Sequence, residues 1–104
     1  MNEEFSRERF AGALGSRFTL HAAEGKTVEI ELIEVSEPRE RPDQVSFSIV
    51  FLLPEDYNAE QGLYDLTHTE LGKLQILLVP IGSRKRGPML EAVFNFLRTE
   101  SAGD

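Results

Sequence analysis

The 104 residues contain no cysteine, and that absence removes two kinds of small domain. Such a chain is neither a disulfide scaffold nor a thiolate-zinc module. Cations are also scarce: 11 Lys and Arg stand against 18 Asp and Glu, a formal net charge of −7. Polyanions are repelled by that balance, so neither general nucleic-acid binding nor adhesion to anionic membranes is expected. No apolar run approaches the ~18 residues that span a bilayer as a helix, so membrane insertion is not expected either. The opening MNEEFSRERF has charges where a secretory leader has an apolar stretch, and a cytoplasmic location is the expectation. There are two histidines, His21 and His68, without the spacing of a metal site, so no metal and no other cofactor is expected. A Gly-x-Ser-x-Gly elbow is missing as well, and no catalytic residue is nominated.

What is present reads as one globular domain over 1–104, with an ordered core from about 5 to 97 and a flexible tail over 99–104. Hydrophobic residues make up 40% and charged residues 28%, the balance of a foldable chain. Residues 61–80, QGLYDLTHTELGKLQILLVP, organise the rest. Strand-like runs over 63–68 and 73–79 flank Thr69-Glu70-Leu71-Gly72, a hairpin signal in which Gly72 supplies positive φ. The second run alternates around Leu74, Ile76 and Leu78. It then becomes apolar on both faces at Leu77 and Val79, which predicts burial deep in the core. Pro80 lacks an amide hydrogen and is expected to stop the strand.

Upstream, Ser6 is a good N-cap, with Phe5 and Phe10 at the spacing of a hydrophobic staple. Phe10 and Leu14 are expected to share a helix face, and Gly15 to end the helix. This short helix is read as a plug for one open end of a sheet. A strand over 17–22, a turn at Glu24-Gly25-Lys26 and a strand over 27–35 follow. In the latter, Val28, Ile30 and Leu32 alternate with Glu29 and Glu31, and the phase then flips to Ile33 and Val35, which predicts a β-bulge near Leu32-Ile33. Residues 36–44, SEPRERPDQ, read as a surface loop. A strand over 45–53 points Val45, Phe47, Ile49, Phe51 and Leu53 inward. Its Val50 and Leu52 make the second half apolar on both faces, which calls for a second covering layer from the amino-terminal helix or opposite strand ends. Residues 54–59 and 81–87 read as loops. The run 88–97 fits either a helix or a strand, and its aromatic and β-branched content favours the strand. The expected fold is all-β, a mostly antiparallel sandwich or partly open barrel of about six strands, with one short N-terminal helix.

Taken together, Phe10-x-x-x-Leu14-Gly15-x-x-Phe18, the strand over 28–35, Gln61-Gly62-x-Tyr64-x-Leu66-x-His68-x-x-Leu71-Gly72, Leu77-Leu78-Val79-Pro80 and Leu90-Glu91-Ala92-Val93-Phe94-Asn95 resemble a bacterial family of small all-β domains of unknown function. The resemblance runs from about Phe5 to Asn95, with Leu90 where family members usually carry Tyr. It implies a small all-β domain and supplies no activity, cofactor or catalytic residue. Some members lie near phage-tail-like fibre or collar proteins, which implies an accessory role in assembly.

The residues with chemical potential have ordinary readings. His21 and His68 end strands, where an imidazole can satisfy loop groups. Glu29, Glu31 and Glu34 belong on a solvated face, Tyr64 in the core with its hydroxyl near the surface, and Asn95 on the side away from Phe94 and Phe96. Arg84-Lys85-Arg86 departs from the acidic background and is the candidate partner-binding segment, a docking site for an acidic surface. A non-catalytic protein–protein interaction or structural accessory domain is therefore expected, with a protein partner or self-association. A small-molecule-binding β-barrel lined by Phe47, Phe51, Phe94 and Phe96 is the alternative, and a hydrolase stands third.

Overall fold

The computed structural model describes residues 6–84 and 87–97. In chain order these form α1 (Arg7–Gly12), β1 (Arg17–His21), β2 (Thr27–Val35), β3 (Arg39–Arg41), β4 (Gln44–Leu52), β5 (Gly62–His68), β6 (Gly72–Arg84) and β7 (Gly87–Leu97). Every strand pairing is antiparallel. The order β2-β1-β5-β6-β7-β4 returns on itself because β4 also pairs with β2, so six strands close into a barrel. Closure removes the sheet edges that an open sandwich must protect. The short β3 prolongs β2 along the part of β4 that β2 leaves free.

Period-two alternation fills the interior. Phe18 and Leu20, Ile30 and Leu32, Phe47, Ile49 and Phe51, Leu66, Leu74, Ile76 and Leu78, and Leu90 and Ala92 are all buried. Each large apolar side chain so buried contributes on the order of 1.5–3 kcal/mol. The last run is a strand, as its composition favours: Leu90 and Ala92 point in, Phe94 and Phe96 pack partly buried against the core, and Asn95 is exposed.

The plug at one end is also present. Ser6 Oγ accepts from the Arg9 amide at 3.3 Å, and Phe10 is fully buried against the rings of Phe94 and Phe47, at 5.6 and 6.3 Å between centroids. The helix is shorter than the sequence suggests. It closes at Gly12, and the amides of Ala13 and Leu14 reach back three residues to Phe10 and Ala11. That tightening turns Leu14 to solvent and puts Ala13 in the core, so Phe10 and Leu14 do not share a buried face. Gly15 is left-handed (φ 86°), but it lies beyond the cap, where its amide starts the pairing with Leu32.

The bulge falls where the phase flip places it. Leu32 pairs with Phe51 and Glu34 with Val50, leaving Ile33 out of register. The covering of β4's double-faced half differs from expectation. Ile33 packs with Val50, Leu52 and Met89 in a small second cluster, so the β2 bulge residue and a residue of the paired strand β7 supply the layer, not α1.

Three loop and stop expectations are corrected. Residues 36–44 contain β3, whose side chains are all exposed; a ladder solvated on both faces needs no apolar pattern. The break between β2 and β3 is patched locally: Ser36 N–H donates to the Ser48 carbonyl at 2.8 Å, and Ser48 N–H donates to Ser36 Oγ at 2.9 Å. The freed Ser36 carbonyl accepts from Arg7 Nε at 2.6 Å, tying α1 to the gap. Pro80 does not stop β6, which runs on to Arg84. The β5 ladder ends at Gly62–Leu78, and a register shift lies between Pro80 and Gly82. Pro80 therefore sits past its neighbour's end and beside a bulge, where a missing donor is tolerated. Residues 81–84 and Gly87 are accordingly strand and not loop: β6 and β7 pair as far as Arg84–Gly87. A Cβ at Gly87 would lie 2.2 Å from the Leu53 carbonyl oxygen, so only glycine allows this approach. The expectations for Phe5, Lys85, Arg86 and the tail over 99–104 fall outside the described residues. Among the described residues no helix is long and apolar enough to cross a membrane.

Candidate interaction surface

Leu77 and Val79 are not in the core. The β5–β6 turn sets the phase that turns them out: Gly72 adopts φ 79° and His68 pairs with Gly72, which aligns Leu63 with Leu77 and puts Leu74, Ile76 and Leu78 inside. Leu63 is 62% exposed, Leu77 54%, Val79 38%, Ile81 44% and Val93 59%. These residues share one outer face. Leu63 and Leu77 are direct cross-strand partners, Val79 lies two residues further on, and Val79 pairs with Glu91, itself two residues from Val93. Direct partners in an antiparallel pair stand about 5 Å apart at Cβ, so the patch is contiguous across β5, β6 and β7. The β6–β7 ladder ends at Val79–Glu91; Leu77 and Val93 flank the place where the two strands part. A run that is apolar on both faces cannot announce this by pattern alone, because such runs also occur in buried strands.

Beside the patch, toward β1, the outer face turns polar. His21, Asp65, Thr67, Lys73 and Gln75 line a shallow groove of about 590 Å³. Gln75 Nε2 donates to Asp65 Oδ1 at 3.0 Å, and His21 Nε2 lies 3.0 Å from Thr67 Oγ1. The side chains here partner one another across strands.

His68, one residue beyond Thr67 at the β5–β6 turn, ties that end of the sheet together. Its Nδ1 accepts from the amides of Glu70 and Leu71 at 3.0 and 3.2 Å, which leaves the proton on Nε2. Nε2–H then donates to Ser16 Oγ at 2.9 Å, and that hydroxyl donates to the Ala13 carbonyl. The imidazole also packs on Phe18, 4.4 Å between centroids. A Ser–His pair is thus present, but with the wrong proton for general-base catalysis: Nε2 would have to be bare to take the serine proton. The network joins the helix end, β1 and the β5–β6 turn, the satisfied strand-end role expected of this histidine, with amides and a hydroxyl in place of a carbonyl.

Other nominated residues fall as follows. Glu29 and Glu34 are exposed and Glu31 half-buried, all on the outer side of β2. Tyr64 packs against the core and its hydroxyl donates to the Glu60 carbonyl at 2.6 Å; burial, the largest cause, raises its pKa above the ordinary value of 10.0 despite that hydrogen bond. Phe47, Phe51, Phe94 and Phe96 meet rings, not a shared lumen: Phe47 contacts Phe94 at 5.1 Å and Phe96 at 6.1 Å, and Phe51 meets Phe18 edge-on at 5.0 Å. Arg84 ends β6 opposite Gly87. Among the described residues no three His, Cys, Asp or Glu side chains gather as a metal set.

Fold and surface together define a small closed β-barrel with a helical plug and an apolar outer face. The chain belongs to the family described as Domain of unknown function (DUF6916), which matches residues 5–94. No curated protein and no solved structure matches it.

Proposed function

We propose that this barrel is a non-catalytic protein–protein contact module, an accessory or structural component of a larger bacterial assembly. The observation that carries the reading is the outer face of β5, β6 and β7, where five large aliphatic side chains stand 38–62% exposed on adjacent strands. Scattered apolar residues need no explanation, whereas a contiguous cluster marks a contact surface. Gln75, Ser48 and Asn95 stand around it together with the charged Lys73, Asp65 and Glu91, the polar rim that surrounds the apolar centre of an interface. Arg84, Lys85 and Arg86 follow Ile81 closely in sequence and supply short-range attraction for an acidic partner. The similarity to small bacterial domains, some near phage-tail-like fibre or collar proteins, is what suggests an assembly of that kind.

The test is capture from lysate of the native cell with wild-type, Leu77→Asp and charge-reversed (Arg84, Lys85 and Arg86 all to Glu) baits. Leu77→Asp should lose the specific partner, and the reversed bait should lose most of it. Equal recovery by wild type and Leu77→Asp would overturn the reading.

A further inference from the structure

We infer that the outer face of β6 is covered by a second copy of this chain, packed about a two-fold axis near Leu77. The inference rests on the proposed contact role and names the partner.

The placement of charge along one strand carries it. The outward residues of β6 run Lys73, Gln75, Leu77, Val79, with Glu91 directly across from Val79. Leu77 therefore lies between a cation four residues before it and a carboxylate two residues after it, one strand over. At about 3.3 Å per residue those offsets are roughly 13 Å and 7 Å, in opposite directions. A two-fold axis through Leu77, lying across the strands, stacks β6 on β6 in opposite directions. It brings Glu91 of each copy level with Gln75 of the other, within the reach of the flexible Lys73 side chain beside it. The Lys73–Glu91 ion pair forms twice by symmetry, as in any isologous interface. Leu63, Leu77 and Val93 of each copy meet in the middle, where no charge stands. Asp65, the remaining carboxylate nearby, is held by Gln75 on its own sheet. A standard interface buries about 800 Å² per partner around an apolar centre with a polar rim; the five exposed aliphatics form that centre, and Lys73, Gln75, Glu91 and Asn95 form the rim.

Sedimentation equilibrium of the full chain across about 1–100 μM tests this. The wild type should approach twice its 11.7 kDa mass at the upper end. Leu77→Asp and Leu63→Asp should both remain single chains with an unchanged far-ultraviolet spectrum, so that loss of folding is not mistaken for loss of contact. Lys73→Glu and Glu91→Lys should each weaken the dimer roughly tenfold, and the double exchange should restore most of the loss. A wild type that stays monomeric, or a dimer indifferent to both aspartates, overturns the inference. If the chain is monomeric yet Leu77→Asp still loses a captured partner, the second copy is refuted and the contact role stands. If neither assay responds to Leu77→Asp, both fall.

Discussion

β2 and β6 present nearly the same inner face and opposite outer ones. Inside, Ile30 and Leu32 on β2 correspond to Leu74, Ile76 and Leu78 on β6, all buried. Outside, β2 carries Glu29, Glu31 and Glu34, and Glu29 accepts from Thr19 Oγ1 at 3.4 Å. The outer side of β6 begins in the same way with Lys73 and Gln75, then continues as Leu77 and Val79, still facing solvent. The inward residues specify the barrel. The outward ones specify what the barrel meets, which for Glu29 and Glu34 of β2 is water and, on the proposed contact role, for the far half of β6 another apolar surface.

If the inner faces are equivalent, Ile30→Ala and Ile76→Ala should each cost about 2–5 kcal/mol in urea melts, through lost burial and the cavity left behind. A much smaller cost at Ile76 would mean that β6 packs loosely and would break the comparison. Next in size is Gly72→Val. A Cβ there meets nothing within 4 Å, so the cost, about 1–3 kcal/mol, comes from the left-handed backbone alone. A larger effect would show that the turn also holds the register that keeps Leu77 out and Leu78 in.

Tyr64 lies opposite Ile76 and gives a smaller, pH-dependent handle. Its folded pKa is raised, chiefly by burial, so its neutral form is favoured in the fold. The contribution is complete below the unfolded value of about 10 and is lost as pH rises through the folded value. Tyr64→Phe should cost about 1 kcal/mol near neutrality, for the lost bond to Glu60, and should reduce the decline in melting temperature above pH 10. An unchanged alkaline decline would assign it to other groups. Smallest of all, Glu29→Gln should shift stability by less than about 0.5 kcal/mol, as expected for a solvated outer position.

Much of the fold was legible because alternation is a local property. The Ser6 cap, the bulge at Ile33, the hairpin glycine at Gly72 and the inward set of every long strand can each be read from a few neighbours. Closure of the barrel was not, since the β2–β4 pairing that seals it depends on register. β3 escaped because a strand exposed on both faces has no hydrophobic period. Pro80 misled because the rule against proline in strands assumes a neighbour on that side, and β5 has already ended. The surface was the least legible part. Leu77 and Val79 read as core, because sequence shows that a strand is apolar on both faces but not whether a second layer covers the outer one. β4 shows the contrast: Val50 and Leu52 have the same double-faced signature and are covered by Ile33 and Met89.

On the proposed contact role, the outer face of β6 belongs to an interface and not to the barrel's own core. Urea unfolding of Leu77→Asp beside Leu78→Asp, at a concentration where the chain is a single copy, tests it most directly. Leu77→Asp should keep its midpoint within the shift of an ordinary surface change, about 0.5 kcal/mol. Leu78→Asp, which buries an unpaired carboxylate, should not hold the fold. Equal, large losses in both variants would contradict the claim and return Leu77 to the core.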